Sequence, residues 1–287
     1  MKQQWYEQLP LEDIKTITPV SGGDVNQAYR VETAKDVYFL LVQSQQPSEF
    51  YAAEIAGLNA FEQANITAPQ VIANGCIEGD AYLLLSYLEE GVIGSQEALG
   101  RCVAHLHQVK SPNNQFGFDL PYHGSAISFD NQWRATWHDL FLQQRIQPLV
   151  QRIEAEGLWT EHDSVQFEQV YNLMSQTLKV HESEPSLLHG DLWAGNYMFL
   201  TDGTPALFDP SPLYGDREFD LGATKVFGGF SPDFYRAYHQ AYPLKEGATF
   251  RIQFYELYLL LVHLVKFGTI YLPTVREKME GIINEKS

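Results

Sequence analysis

Apolar and polar residues follow two different periods along the chain, and the change of period falls near residue 88. Before it, short runs of β-branched and aromatic residues predict strands, and one amphipathic stretch predicts a helix. The predicted strands cover 24–33, 37–42 and 81–87, and the predicted helix covers 49–63. This pattern favours a small sheet accompanied by one helix.

Helical periods predominate after Glu89-Glu90-Gly91, which has the composition of a hinge. The predicted helices cover 96–109, 133–156, 165–180, 232–241 and 249–272. A tract rich in Ser, Pro, Gly and Asn at 110–130 is predicted to be loop. We therefore expect two domains, residues 1–88 and residues 89–287, of which the second is mainly helical.

One segment of the second part has the residues that phosphoryl transfer needs. Asp191 follows His189 and Gly190, Asn196 comes five residues later, and Asp209 lies beyond a predicted hairpin. In kinase-type sites a base accepts the hydroxyl proton, and an amide and a second carboxylate hold the metal ion. His-Gly-Asp alone would be an ordinary polar turn. The full spacing predicts Asp191 as the catalytic base and Asn196 and Asp209 as Mg²⁺ ligands.

Composition narrows the possible partners. A formal net charge of −17 and a pI near 4.8 would repel nucleic acids and anionic membranes. The two cysteines, Cys76 and Cys102, have no disulfide or zinc spacing, and residues 1–5 lack the apolar core of a signal peptide. We expect a cytoplasmic monomer that acts on small or protein-bound acceptors.

The segment HGDLWAGN, the run FDPSPLYGDREFDL at 208–221 and the stretch SGGDVNQAYRV at 21–31 resemble the fructosamine kinase family. That family belongs to the aminoglycoside and choline phosphotransferase group, and the resemblance extends over nearly the whole chain. It implies a two-lobed α+β fold like that of protein kinases, with a small antiparallel sheet in the first lobe and mainly helices in the second. It also implies phosphate transfer from ATP to a sugar hydroxyl of a ketosamine, the rearranged adduct of a sugar with an amine.

The nucleotide site is expected in the first lobe. A glycine-rich turn there can place backbone N–H groups over the phosphates of ATP, although two adjacent glycines often only make a turn. The expected nucleotide contacts are Gly22, Gly23, Asp24, Glu54, Ser86, Tyr87 and Leu88.

The lysine of kinase-type nucleotide sites is missing. The resemblance places it at residue 41, which is Leu41. Glu54, the usual partner of that lysine, would then face solvent or pair with Arg30. The chain is therefore an impaired relative, a kinase in which another cation substitutes, or one in which Mg²⁺ suffices.

Two side chains are expected to bind the acceptor. Trp193 can stack on the sugar-amine, as the resemblance favours, or anchor the loop in the core. Asp216 can meet a cationic amine, or close the loop through an internal ion pair. Asp220 is expected to be structural and to cap the following helix.

These residues predict an ATP- and Mg²⁺-dependent phosphotransferase that acts on fructosamine or ribulosamine adducts in the repair of glycated amines. Aminosugars and amino alcohols are alternative acceptors. A nucleotide-binding pseudokinase is the alternative from another class, because Leu41 removes a fixed positive charge from the phosphate site. The intact set of Asp191, Asn196 and Asp209 argues against it.

Overall fold

A computed structural model describes residues 3–20, 27–123 and 127–286. Its contacts divide the chain into two compact units. Unit 1 is Met1–Ser95 with Tyr197–Pro210, and unit 2 is Gln96–Asn196 with Ser211–Ser287. The first boundary therefore lies beyond the predicted residue 88, and unit 1 also includes a segment from the second predicted domain.

A five-stranded antiparallel sheet forms most of unit 1, in the order β1-β2-β3-β5-β4. Its strands are β1 (Ile14–Val20), β2 (Gln27–Thr33), β3 (Val37–Gln43), β4 (Val71–Ile77) and β5 (Asp80–Ser86). The strands predicted at 37–42 and 81–87 are confirmed, and so is the described part of 24–33. Strand β4 was not predicted, because Asn74 and Gly75 in its middle are typical of turns.

Different elements cover the two faces of this sheet. They are helix α1 (Gln3–Tyr6) on one face, and a 3-10 turn (Ser48–Tyr51) with helix α2 (Ala52–Gln63) on the other. Side chains alternate along β3, so Leu40 and Val42 pack with Trp5, whereas Leu41 packs with Tyr51 and Leu58. Position 41 therefore lies on the side of the sheet that α2 covers.

Helices dominate from residue 96 onward. In chain order the elements are α3 (Gln96–Gln108), β6 (Tyr122–His123), β7 (Ser128–Phe129), α4 (Trp137–Phe141), a π turn (Leu142–Ile146), α5 (Gln147–Ala155), α6 (Glu161–Val180), β8 (Ser186–Leu188), a 3-10 turn (Ala194–Asn196), β9 (Tyr197–Phe199), β10 (Pro205–Leu207), β11 (Leu213–Gly215), α7 (Glu218–Val226), α8 (Pro232–Ala241), α9 (Ala248–Phe267), a 3-10 turn (Thr269–Tyr271) and α10 (Leu272–Lys286). The predicted α+β class is confirmed.

Some predicted bounds need correction. The helix predicted over 133–156 begins only at Trp137, because Thr136 caps it through its side chain, and a π turn interrupts it. The predicted loop 110–130 contains the small pair β6 and β7. Helix α9 ends at Phe267, because the φ of 79° at Gly268 breaks the helical conformation, and a 3-10 turn and α10 follow.

The predicted hairpin over 197–208 is confirmed, and it belongs to unit 1. The Phe199 carbonyl accepts the Gly91 N–H at 2.7 Å, and the Leu207 N–H donates to the Thr67 carbonyl at 2.9 Å. Backbone hydrogen bonds therefore join both strands of the hairpin to unit 1.

The core of unit 2 is built largely around α9, most of whose residues are buried. In the described ranges, no helix has both the length and the apolar character that crossing a membrane requires.

Candidate active site

The loop between β8 and β9, residues 189–196 and called the catalytic loop below after its predicted role, brings together two of the predicted catalytic side chains. Asn196 is 3% exposed, and its Nδ2 donates to the Asp191 backbone carbonyl at 2.9 Å and to Asp191 Oδ2 at 3.3 Å. The Asn196 N–H donates to the Trp193 carbonyl at 3.0 Å, which closes the turn between them. The Asn196 amide is therefore held next to the Asp191 carboxylate.

Asp220, in the first turn of α7, fixes the start of this loop. Its Oδ2 accepts the His189 backbone N–H at 2.7 Å, and its Oδ1 accepts the Gly190 N–H at 2.9 Å. We expected Asp220 to be structural and to cap the following helix; it is structural, but it lies within α7 and binds other backbone amides. The carboxylate binds free backbone amides, as a cap does, but they belong to the catalytic loop.

Asp220 is held in turn by a buried histidine of α3. His107 Nε2 lies 3.1 Å from Asp220 Oδ2, and His107 Nδ1 lies 2.8 Å from the Tyr238 hydroxyl. None of the three side chains is more than 1% exposed. Sequence reasoning missed this network, because His107 precedes Asp220 by 113 residues and Tyr238 by 131 residues.

Gly190 is required by the backbone of the loop. Its φ is 82°, and a methyl group at its Cα would lie 1.7 Å from the Ser211 carbonyl oxygen. The Ser211 N–H donates to the His189 carbonyl at 2.8 Å. The glycine thus permits the close approach of two chain segments immediately before Asp191.

The two predicted metal ligands, Asn196 of unit 2 and Asp209 of unit 1, each carry an oxygen atom of the kind that Mg²⁺ prefers. The hydrogen bonds found for the Asn196 side chain in the described residues use Nδ2, so Oδ1 is the atom suited to bind a metal ion. Asp209 is exposed and has a φ of 55°. Burial, followed by the charge of Asp209, raises the pKa of Glu54. Burial, followed by the charges of Glu54 and Asp209, also raises the pKa of Tyr51. This concentration of negative charge in unit 1 fits a divalent cation.

Trp193 lies on the surface of the catalytic loop, with 43% of its area exposed. Its six-membered ring rests against Gly195, where a methyl group would come within 2.3 Å of Cη2. This exposure is evidence against the alternative in which Trp193 anchors the loop in the core. Its predicted contact with the acceptor stays a prediction.

Asp216 is 3% exposed, and its carboxylate has partners within the protein. Oδ2 lies 2.9 Å from His181 Nε2 and accepts the Ser183 hydroxyl at 2.5 Å, while Oδ1 accepts the Glu218 N–H at 2.9 Å. Burial raises the pKa of Asp216, but the hydrogen bonds from His181 and Ser183 outweigh it and lower that pKa below its usual value. These contacts favour the internal role that the sequence left open, and a contact with the acceptor remains a prediction.

His181, Asp216 and Glu218 place three potential metal-ligand atoms within 4.8 Å of one another. A guanidinium already occupies one side of this cluster, because Arg251 donates to the two Glu218 oxygens at 2.8 Å and 2.7 Å. The cluster is therefore an internal ion-pair network in which a cation is already present.

At the position in unit 1 where a kinase lysine was expected, the structure has an apolar side chain that packs in the sheet. Leu41 lies between Ala28 and Leu83 in the sheet and contacts the apolar cluster beneath α2. Glu54 lies in the first turn of α2, and in the described part of the chain no Lys or Arg is within ion-pair distance of it. The usual lysine–glutamate pair has no counterpart at these two positions.

Arg30 does not replace the lysine as a partner of Glu54. It pairs with Glu32, and its guanidinium lies 5.1 Å from the centre of the Tyr87 ring. Ser86 and Leu88 line a pocket of about 380 Å³ within unit 1. The remaining predicted nucleotide contacts, Gly22, Gly23 and Asp24, lie outside the described residues.

Known proteins share both the sequence and the fold. The fructosamine kinase family matches residues 1–285. A probable ketoamine kinase of Staphylococcus aureus is 56% identical over 285 residues, which cover 99% of each chain. The crystal structure of a putative fructosamine-3-kinase from Thermobifida fusca aligns with a TM-score of 0.83 and 26% identity over 94% of both chains. A ternary complex of aminoglycoside phosphotransferase APH(4)-Ia with AMP-PNP and hygromycin B aligns with a TM-score of 0.69 and 15% identity over 98% of both chains, and shows a shared fold alone.

Fold and relatives together define a kinase-type phosphotransferase for small molecules, on a protein-kinase-like α+β fold. Within that class, the chain belongs to the fructosamine kinase family. The predicted family, fold class and type of enzyme are confirmed.

Proposed function

We propose that this protein transfers the γ-phosphoryl group of ATP to a sugar hydroxyl of a ketosamine, a fructosamine or ribulosamine adduct, in the repair of glycated amines. The observation that carries the proposal is the contact between Asp191 and Asn196 in a loop whose start is bound by Asp220. Family membership supports the ketosamine as the acceptor. The AMP-PNP complex of the more distant neighbour supports an adenine nucleotide as the donor.

Asp191 acts as the base in this proposal. Its carboxylate orients the sugar hydroxyl and accepts its proton as the oxygen attacks the γ-phosphorus. The bond between that phosphorus and the β,γ-bridging oxygen breaks, so ADP leaves and the sugar gains a phosphate ester. The Asn196 amide donates to Oδ2 and thereby fixes the orientation of the carboxylate.

Asn196 Oδ1 and Asp209 are the proposed ligands of Mg²⁺. The ion would neutralise charge on the phosphate oxygens of ATP. Excess negative charge around Asp209 and Glu54 supports a cation there. The protein's own task is then to hold the acceptor and to exclude water.

The test is steady-state ATP consumption by the purified protein with Mg²⁺ and a panel of fructosamine, ribulosamine, aminoglycoside and choline acceptors, with Asp191→Ala as the control. We expect turnover that depends on a ketosamine and is lost in the variant. Turnover with only an aminoglycoside or choline would replace the ketosamine by one of those acceptors.

A pseudokinase is the second candidate, because Leu41 is packed against apolar side chains where a lysine would bind phosphate. It predicts ATP binding, measured by calorimetry, without turnover on any acceptor. A product phosphorylated on the sugar, identified by mass spectrometry, would exclude it.

A further inference from the structure

Two positions of the catalytic loop are occupied by glycine, and the structural reason differs between them. Gly190 needs to be glycine because its φ is 82° and because Ser211 lies against it. Gly195 does not have a positive φ, so its backbone conformation is open to any residue. The three atoms nearest to a methyl group at Gly195 are Cη2, Cζ2 and Cζ3 of Trp193, at 2.3, 2.4 and 2.7 Å.

The backbone around Gly195 is fixed by contacts on both sides. The Trp193 N–H donates to the Asp191 carbonyl at 3.2 Å, and the Trp193 carbonyl accepts the Asn196 N–H at 3.0 Å. Ala194 packs against Gly229, where a methyl group would lie only 2.3 Å from the Ala194 Cβ. A side chain at position 195 would therefore displace the indole, the far end of a side chain, more readily than the main chain.

We propose that Gly195 is a specificity-determining residue, because its bare Cα seats the indole of Trp193 in the pose that receives the ketosamine. This inference rests on the proposed function. The exposed indole offers an apolar ring to the C–H groups of the sugar. Gly195 does not touch the acceptor and acts through the position of Trp193.

The first test is a double-mutant cycle with Gly195→Ala and Trp193→Ala. Gly195→Ala alone should raise the KM for the ketosamine about 3- to 10-fold, the range for losing one aromatic contact, and should leave the KM for ATP unchanged. In the Trp193→Ala background the same substitution should change nothing, because the added methyl group has room. An equal effect in both backgrounds, or a fall in kcat at unchanged KM, would assign Gly195 to the support of Asn196 and overturn the proposal.

The second test does not depend on turnover. With 5-fluorotryptophan at the five tryptophans, Trp193→Phe identifies the ¹⁹F resonance of Trp193. We expect Gly195→Ala to shift that resonance and leave the other four in place. The matched control is Gly281→Ala, since a methyl group at Gly281 has nothing within 4 Å. An unmoved Trp193 resonance would refute the seating of the indole. A shifted resonance without ketosamine-dependent turnover would confirm the seating and refute the proposed function, and with it the role of Gly195 in ketosamine specificity.

Discussion

Within the described residues, the catalytic loop of unit 2 and the β3–α2 region of unit 1 differ in whether their charged groups have partners. In the loop, Asp220 binds two backbone amides and is itself held by His107. In unit 1, Leu41 is apolar, and the pKa of Glu54 is raised by burial and by Asp209. Position 41 therefore lacks the expected lysine charge, while the start of the loop that carries the predicted base is fixed by buried contacts. This contrast predicts that the chain retains the chemical step and binds nucleotide weakly without a metal ion.

The largest effect is expected from the catalytic loop. Asp191→Ala should lower kcat by about 10²- to 10⁴-fold, the usual contribution of a positioned base, because it removes the carboxylate that Asn196 contacts. Steady-state kinetics with the ketosamine measures this loss. Calorimetry should show that the variant still binds ATP; retention of full turnover would remove Asp191 from the role of base.

The second-largest effect is expected from the contacts that hold the catalytic loop. Asparagine at position 220 offers one acceptor and turns an N–H₂ group toward the other amide, so Asp220→Asn leaves a buried donor unpaired. At about 1–3 kcal/mol for such a group, kcat should fall roughly 10- to 100-fold. The matched control is Asp233→Asn in the first turn of α8, whose carboxylate is exposed. If the variant melts like the wild type and retains its kcat, the contacts with His189 and Gly190 do not position the loop.

Restoring the missing charge should have a moderate effect in unit 1. Leu41→Lys should tighten ATP binding about tenfold, because a charged hydrogen bond contributes roughly 1.5 kcal/mol. It should also lower the melting temperature, because the new ammonium group enters an apolar cluster. Leu41→Met is the control that keeps the packing and adds no charge. If both variants bind ATP like the wild type, another cation already serves the phosphates.

The smallest effect is expected at Glu54. Its raised pKa means that the folded state takes up a proton more readily than the unfolded chain, so charging this carboxyl group costs stability above its folded pKa. Glu54→Gln should therefore raise the melting temperature by about 2 °C at neutral pH. The gain should shrink as the pH falls and disappear below about 4.3, the ordinary glutamate value, where both states are protonated. Glu62→Gln, exposed on the same helix, should show no such dependence; a gain that persists at low pH would contradict the raised pKa.

Local patterns predicted the elements that have a clear apolar run or a clear apolar period. Strand β5, helix α8 and the hairpin of β9 and β10 lie where the sequence placed them. The neighbours Asp191 and Asn196 were predictable because five residues of chain limit their separation. The position of Leu41 within a strand was predictable in the same way, because the strand is short and its apolar run is continuous.

The contacts that the sequence did not reveal join residues far apart in the chain. Asp220 lies 31 residues after His189, and His107 lies 113 residues before Asp220. A carboxylate at a helix start is equally compatible with capping its own helix, and only the tertiary fold decides between the two partners. The partners of Asp216 were open for the same reason, since the four strands β8 to β11 separate it from His181 in the chain.

The path of the chain through its two units also limits how the protein can be divided. The hairpin of β9 and β10 follows the catalytic loop in sequence, yet its hydrogen-bond partners, Thr67 and Gly91, precede residue 95. A cut between residues 95 and 96 would separate the two strands from the backbone groups that they pair with. The two fragments would have to find each other to complete the smaller unit, which makes this position suited to a split-protein reporter and unsuited to a truncation.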